Sequence, residues 1–253
     1  MNPIRLFTVA RRGVKVALRT PIQFLGAPLI TSFLYIFVFG SIMGERVGSI
    51  AGVSYITFVF PGILTLNVIM TAFNGTAMNI YFARFLHFIQ ETLVSPISYS
   101  ELILGHMLAV FVRVLIVGAG IALIGTLFGA VSLAHPFFLI FWLLITSAFF
   151  GLLGFLTGLW ADNFEQLGMF PTFIITPLAF IGGMFTSLSM LPGWMQIVAQ
   201  FNPFFYVVDG FRWAMTGYTE TSILFASAVM GVGTIAFFML VVFLVSRGWR
   251  IRE

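Results

Sequence analysis

The chain has 253 residues, 60% of them hydrophobic and only 8% charged, and its mean hydropathy is +1.09. A soluble domain carries about 25% charged residues, so an aqueous globular fold is excluded and a polytopic membrane protein is indicated. The net charge of +4 comes from Lys and Arg placed mostly at the ends of apolar runs, which form no groove-lining patch and give no nucleic-acid partner; the lack of Cys excludes disulfides, Fe–S clusters and thiolate zinc sites.

Residues 1–19 are basic and only moderately hydrophobic. On a helical wheel Arg5, Arg11, Arg12, Lys15 and Arg19 fall within an arc of about 120°, with Leu6, Phe7, Ala10, Val14, Ala17 and Leu18 opposite. That pattern predicts a helix lying in the cytoplasmic headgroup layer, with Arg11, Arg12, Lys15 and Arg19 at the membrane interface. A cleaved signal peptide fits poorly, because the next apolar run is too long for an h-region and no small-x-small site follows.

Span one is expected over 20–44, followed by a short polar turn at 45–48. Span two lies within 55–81 and carries Asn67, Asn74 and Asn79. Amides at bilayer depth serve either as hydrogen-bonded glue between helices or as the lining of a path. The segment 83–94 reads as a short amphipathic helix, with Arg84, His87 and Glu91 on one face. Ser95-Pro96 stops it, and Ser98-Tyr99-Ser100-Glu101 matches a capping box that opens span three. The segment is either a solvated connector or a lever that a partner could push.

Span three runs over about 102–129 and contains Arg113. Counted from Glu101 at 1.5 Å per residue, Arg113 lies about 18 Å along the helix, roughly mid-membrane. Such an arginine must face protein or water, as a structural anchor or as part of a path. Span four covers 137–160 with glycines at 151, 154 and 158, a spacing that allows close helix approach. A tight acidic turn at 161–166 carries Asp162 and Glu165. Span five is expected over 167–188. Two shorter segments at about 190–215 then carry Trp194, Phe204, Phe205 and Tyr206. Each is too short to span and too apolar for an aqueous loop, so a re-entrant pair in the outer interface is expected. Span six covers 222–246.

Six spans put both termini on one side. That side receives nine Lys and Arg and the other two, so the termini are expected in the cytoplasm. The only lysine is Lys15, so no Walker A site exists. His87, His106 and His135 do not pair at one depth, and the acids lie in loops or at helix ends rather than within spans. The chain itself offers no enzyme chemistry, cofactor or metal site, and points to an energised partner subunit.

Three stretches carry a resemblance: FVFPGIL at 58–64, ETLVSPISYSELILG at 91–105, and PTFIITPLAFIGGMFTSLSMLPGWMQIVAQFNPFFYVVDGFRW at 171–213. In order and spacing they resemble the permease subunits of type-2 ABC transporters, the drug and polysaccharide exporter class, over nearly the whole length. The resemblance implies one transmembrane domain over 1–253 in the cell (inner) membrane, all-α, with six transmembrane helices, an N-terminal interfacial amphipathic helix and an outer re-entrant hairpin between spans five and six. It implies a homodimer whose two copies form the pathway, among membrane lipids. Separate ATPase subunits carry ATP and Mg. The ATPase would be coupled through Arg84, His87 and Glu91, with Asp162 and Glu165 as a second contact. Asn67, Asn74 and Arg113 would be the polar groups of the path, and Trp194, Phe204, Phe205 and Tyr206 an outer gate. The cargo implied is amphipathic, lipid-like, drug-like or glycan. The competing reading is a membrane anchor or assembly factor without a pathway.

Overall fold

The computed structural model describes residues 3–19, 22–50, 52–86, 88 and 97–250. The first helix, α1, is Pro3–Leu18. Next comes α2, Ala27–Phe37, extended by wide π-helical turns over Ile22–Gly26 and Val38–Met43, and then the short α3, Gly44–Val47. Strands β1 (Ser49–Ile50) and β2 (Val53–Ser54) form an antiparallel hairpin. Then follow α4 (Tyr55–Phe85), α5 (Tyr99–Leu127), α6 (Pro136–Trp160) and α7 (Phe164–Ile181). Two short helices, α8 (Gly193–Gln200) and α9 (Pro203–Thr216), precede α10 (Ile223–Ser246). Among the described residues, five helices (α4, α5, α6, α7 and α10) are long and apolar enough to cross a membrane, and the apolar stretch Ala27–Gly40 is shorter.

The centre of the bundle is α4. It is apolar on every side, which suits a helix enclosed by others, and Phe58, Phe60, Val68, Ile69, Ala72 and Phe73 are fully buried. Against it lies α6, brought close by the glycines noted in the sequence. A Cβ at Gly154 would run into the Phe73 carbonyl oxygen, and one at Gly158 would stand 2.5 Å from the Ala77 carbonyl oxygen. On another side α5 packs on α4 and carries α1 along its flank. Helices α7 and α10 are largely open on the outside.

Span three begins as expected. The Ser98 hydroxyl accepts from the Glu101 N–H (3.3 Å), and the Glu101 carboxylate accepts from the Ser98 N–H (3.0 Å). Three boundaries differ from the sequence reading. Glu45 and Arg46 belong to α3 rather than to a polar turn, because the helix runs on to Val47 and stops at Gly48 with φ +73°. Ala83, Arg84 and Phe85 are the last turn of α4 rather than the start of a separate helix; His87, Glu91 and the rest of 89–96 lie outside the described residues. Span five ends at Ile181, not 188. There Gly183 adopts φ +83°, a left-handed conformation that an L side chain resists, and the chain turns although its composition stays apolar.

Candidate functional site

Polar side chains gather in three places. The first is the corner where α4 ends and α6 turns into α7. A helix end leaves its last carbonyls without intrahelical partners, and here Arg84 supplies donors. Its guanidinium donates to the Leu159 carbonyl, to the Ala161 carbonyl at 2.8 Å and to Asp162 at 2.8 Å. Arg250, just beyond α10, reaches the same carboxylate at 3.3 Å. Asn163 caps α7 by accepting from the Gln166 N–H (2.9 Å), and Gln166 accepts from the Asp162 N–H (2.7 Å). Phe164 packs between Tyr81 and Phe82. Arg84 and Asp162, read from sequence as two separate coupling points, are therefore one clamp joining the ends of α4, α6 and α10. Glu165 is exposed beside it.

The second place is a cavity of about 280 Å³ between α1, α4 and α5. Its lining includes Arg12, Asn79, His106 and Arg113. Arg113 lies against Gly75 of α4, where an added Cβ would come within 2.7 Å of a guanidinium nitrogen. The cations named from sequence in and just after α1, Arg11, Arg12, Lys15 and Arg19, are all exposed. The span-two asparagines do not act together. Buried Asn67 donates to the Ile63 carbonyl of its own helix (2.9 Å), and Asn79 to that of Gly75 (2.7 Å). Asn74 is exposed. For Asn67 and Asn79 the recorded bond runs back one turn rather than across to a neighbouring helix, a route open to any amide four residues past a carbonyl.

The third place is at the opposite end of α4, around α8 and α9. Trp194 is exposed, whereas Phe204, Phe205 and Tyr206 are buried. Phe204 packs on Phe150 at 4.8 Å, and the Tyr206 hydroxyl donates to the Gln200 carbonyl (2.7 Å). Of the four aromatic residues named for an outer gate, three thus form the root of α9 and one faces out.

Below these rings lies an ionic network that the sequence reading did not single out. Asp209 and Arg212 are fully buried on α9. Asp209 accepts from the Glu220 N–H (2.8 Å), the Thr219 hydroxyl (2.8 Å) and the Thr221 N–H (3.1 Å). Arg212 donates to the Gly183 carbonyl (2.5 Å), pairs with Glu220 at 3.6 Å, and lies 4.0 Å above the Phe58 ring. Glu220 in turn accepts from the Leu188 N–H (2.7 Å). Burial pushes the Asp209 carboxyl above the usual carboxylate range, against the opposing pull of its hydrogen bonds and of Arg212. The i, i+3 spacing of Asp209 and Arg212 was the available signal. Together these groups pin the segment after α7 and the start of α10 onto α9.

An apolar bundle fastened at both ends by cationic clamps defines a membrane protein built around one central helix. Comparison with known families places it further. The ABC-2 type transporter family model matches residues 4–216. Over 250 residues the chain is 33% identical to "Inner membrane transport permease YadH" of Escherichia coli (strain K12), covering 99% of this chain and 98% of that one. It is also 28% identical over 207 residues to "Nodulation protein J" of Rhizobium meliloti (strain 1021), covering 80% of this chain and 76% of that one. The chain belongs to the ABC-2 type transporter family and is a transport permease.

Proposed function

We propose that this chain is the permease subunit of an ATP-driven ABC exporter in a cell inner membrane. Two copies form the pathway, and a separate ATPase carrying ATP and Mg drives it, moving an amphipathic, lipid-like, drug-like or glycan substrate outward. Six spans cross the bilayer with both termini in the cytoplasm. In this reading α1 sits at the cytoplasmic interface, residues 83–94 receive the motion of the ATPase, and α8 and α9 re-enter from outside as a cap. Asn74 and Arg113 belong to the polar groups met by the substrate.

The observation that carries the reading is the Arg84–Asp162 clamp. It fastens the last turn of α4, which leads into the expected coupling segment, to the turn at 161–166 and to Arg250 just beyond α10, which is what a mechanical input requires. The test is co-purification of the full chain from its native membrane. An ABC ATPase should be recovered with it, and His87→Ala/Glu91→Ala should abolish coupled ATP hydrolysis while leaving the permease inserted. Recovery of the chain without an ATPase, or unimpaired transport by that variant, would refute the proposal and leave a membrane anchor.

A further inference from the structure

The cavity between α1, α4 and α5 has a chemical character that a packing defect lacks. The described residues lining it carry two guanidiniums, Arg12 and Arg113, a histidine and an amide, but no carboxylate. His106 and Arg113 are seven residues apart on α5, so they project from one face, two turns apart. Arg12 faces them from α1. That wall is fixed in place: a Cβ on Gly13 would stand 2.6 Å from Ala109, and Gly105 is equally close to Val9. The two pairs are one turn apart on each helix, so α1 lies alongside α5 over that turn.

Depth supports the same reading. Helix α5 has 29 residues, about 44 Å at 1.5 Å per residue, while a hydrocarbon core is only about 30 Å thick. The excess must project at one end. The Leu127 end is apolar, with Leu123 and Leu127 exposed, whereas the Tyr99 end carries Glu101 and His106. With Leu127 at one boundary, Arg113 lies about 21 Å from it, some 9 Å inside the other boundary. A long arginine stem carries the charge outward from that position. Arg12, next to Gly13, which meets Ala109, lies closer still to the boundary. Both cations therefore sit at the depth where lipid headgroups join their chains.

We propose that this cavity binds the phosphate group of a membrane amphiphile, held between the guanidiniums of Arg12 and Arg113. A guanidinium presents paired donors that match phosphate oxygens, and such charged hydrogen bonds are among the strongest available. The cavity's 280 Å³ is many times the ~10–15 Å³ that one water requires. That is room for a phosphate and its ester substituents, with the acyl chains left outside beside the exposed Phe82 and Leu86. The inference goes beyond the exporter reading, because binding is measured without ATP or a partner subunit; either can fail alone.

The test uses the full chain in detergent, with native mass spectrometry and a titration of dioleoyl phosphatidic acid. Dioleoyl glycerol, which has the same chains and no phosphate, serves as control, and inorganic phosphate as competitor. Phosphatidic acid should be retained over dioleoyl glycerol. Arg12→Gln and Arg113→Gln should each weaken it about tenfold or more, the scale of a lost hydrogen bond to a charged group. Arg11→Gln should leave binding unchanged. Competition by inorganic phosphate at equal concentration would assign the site to the free anion; lack of competition assigns it to the lipid. If Arg113→Gln does not fold, Arg12→Gln on the exposed helix decides. Equal retention of the two lipids without phosphate binding, or wild-type affinity in Arg12→Gln, overturns the proposal.

Discussion

Replacing Arg84 by Gln should cost about 2 kcal/mol of stability, and the visible ion pair should account for the smaller share. The Arg84 side chain is 20% exposed and that of Asp162 52%. A pair in that setting is worth about 0.2–1 kcal/mol, because solvent screens it. The carbonyls of Leu159 and Ala161 are different: both residues are buried, and an intramolecular hydrogen bond contributes about 1 kcal/mol net. Two such bonds outweigh one screened pair. Asp162→Asn, which keeps both carbonyl bonds, should therefore cost at most about 1 kcal/mol. Arg84→Lys should recover only part of the loss, since an ammonium lacks the fork that reaches separated acceptors. Thermal unfolding of the detergent-solubilised chain, followed by tryptophan fluorescence, reads all three. At 1 M salt the Asp162 contribution should shrink while the carbonyl contribution persists. If Asp162→Asn proves as damaging as Arg84→Gln, or Lys fully replaces Arg, the clamp is an ion pair and the capping argument is wrong.

Gly154→Ala should destabilise the bundle by about 1–3 kcal/mol, because a methyl group there meets the Phe73 backbone rather than a movable side chain; the melting temperature checks it, and an unchanged value would mean α4 and α6 can part freely. Arg212→Met leaves Asp209 and Glu220 buried without their cation and should cost about 3–5 kcal/mol, seen as loss of folded chain on size exclusion. Glu220→Gln should cost clearly less. Asp209 gives a pH dependence. With its folded value raised, the native chain keeps a proton that the unfolded chain releases, so stability is full below the ordinary carboxylate range and falls as pH rises through the raised value. Asp209→Asn should flatten that slope in melting curves recorded across pH.

What could be read without coordinates was local in origin. The Ser98–Glu101 capping box needs only four consecutive residues, and the glycines at 151, 154 and 158 announce a close helix contact by spacing alone. Boundaries failed where composition does not change at the boundary. Residues 184–188 continue the apolar run of span five, so hydropathy extends the helix through Gly182-Gly183, where the backbone actually turns. The polar groups failed for another reason. Asn67 and Asn79 bond back along their own helix, a choice set by rotamer and neighbouring bulk rather than by residue type. Asp209 and Arg212 were legible as a spaced pair, but Glu220 joins them only because Gly217, at φ +77°, reverses the chain.

The two clamps share one helix, and that bears on how a push would travel. Arg84 is in the last turn of α4, and Phe58, in its first, lies beneath Arg212. Between them runs a 31-residue helix, about 46 Å long. Its middle is wedged against α6 where glycines leave no slack. A packed interface of this kind does not deform gradually. If residues 83–94 take up the motion of an ATPase as proposed, the wedged stretch of α4 passes the displacement on toward Pro61, where one helix hydrogen bond is missing, less than one turn short of Phe58. It arrives at the Phe58–Arg212 contact, where α9 and the segment after α7 are tied together. Helices α8 and α9 are thus mechanically continuous with the Arg84 end of α4, although nearly the whole length of the bundle separates them.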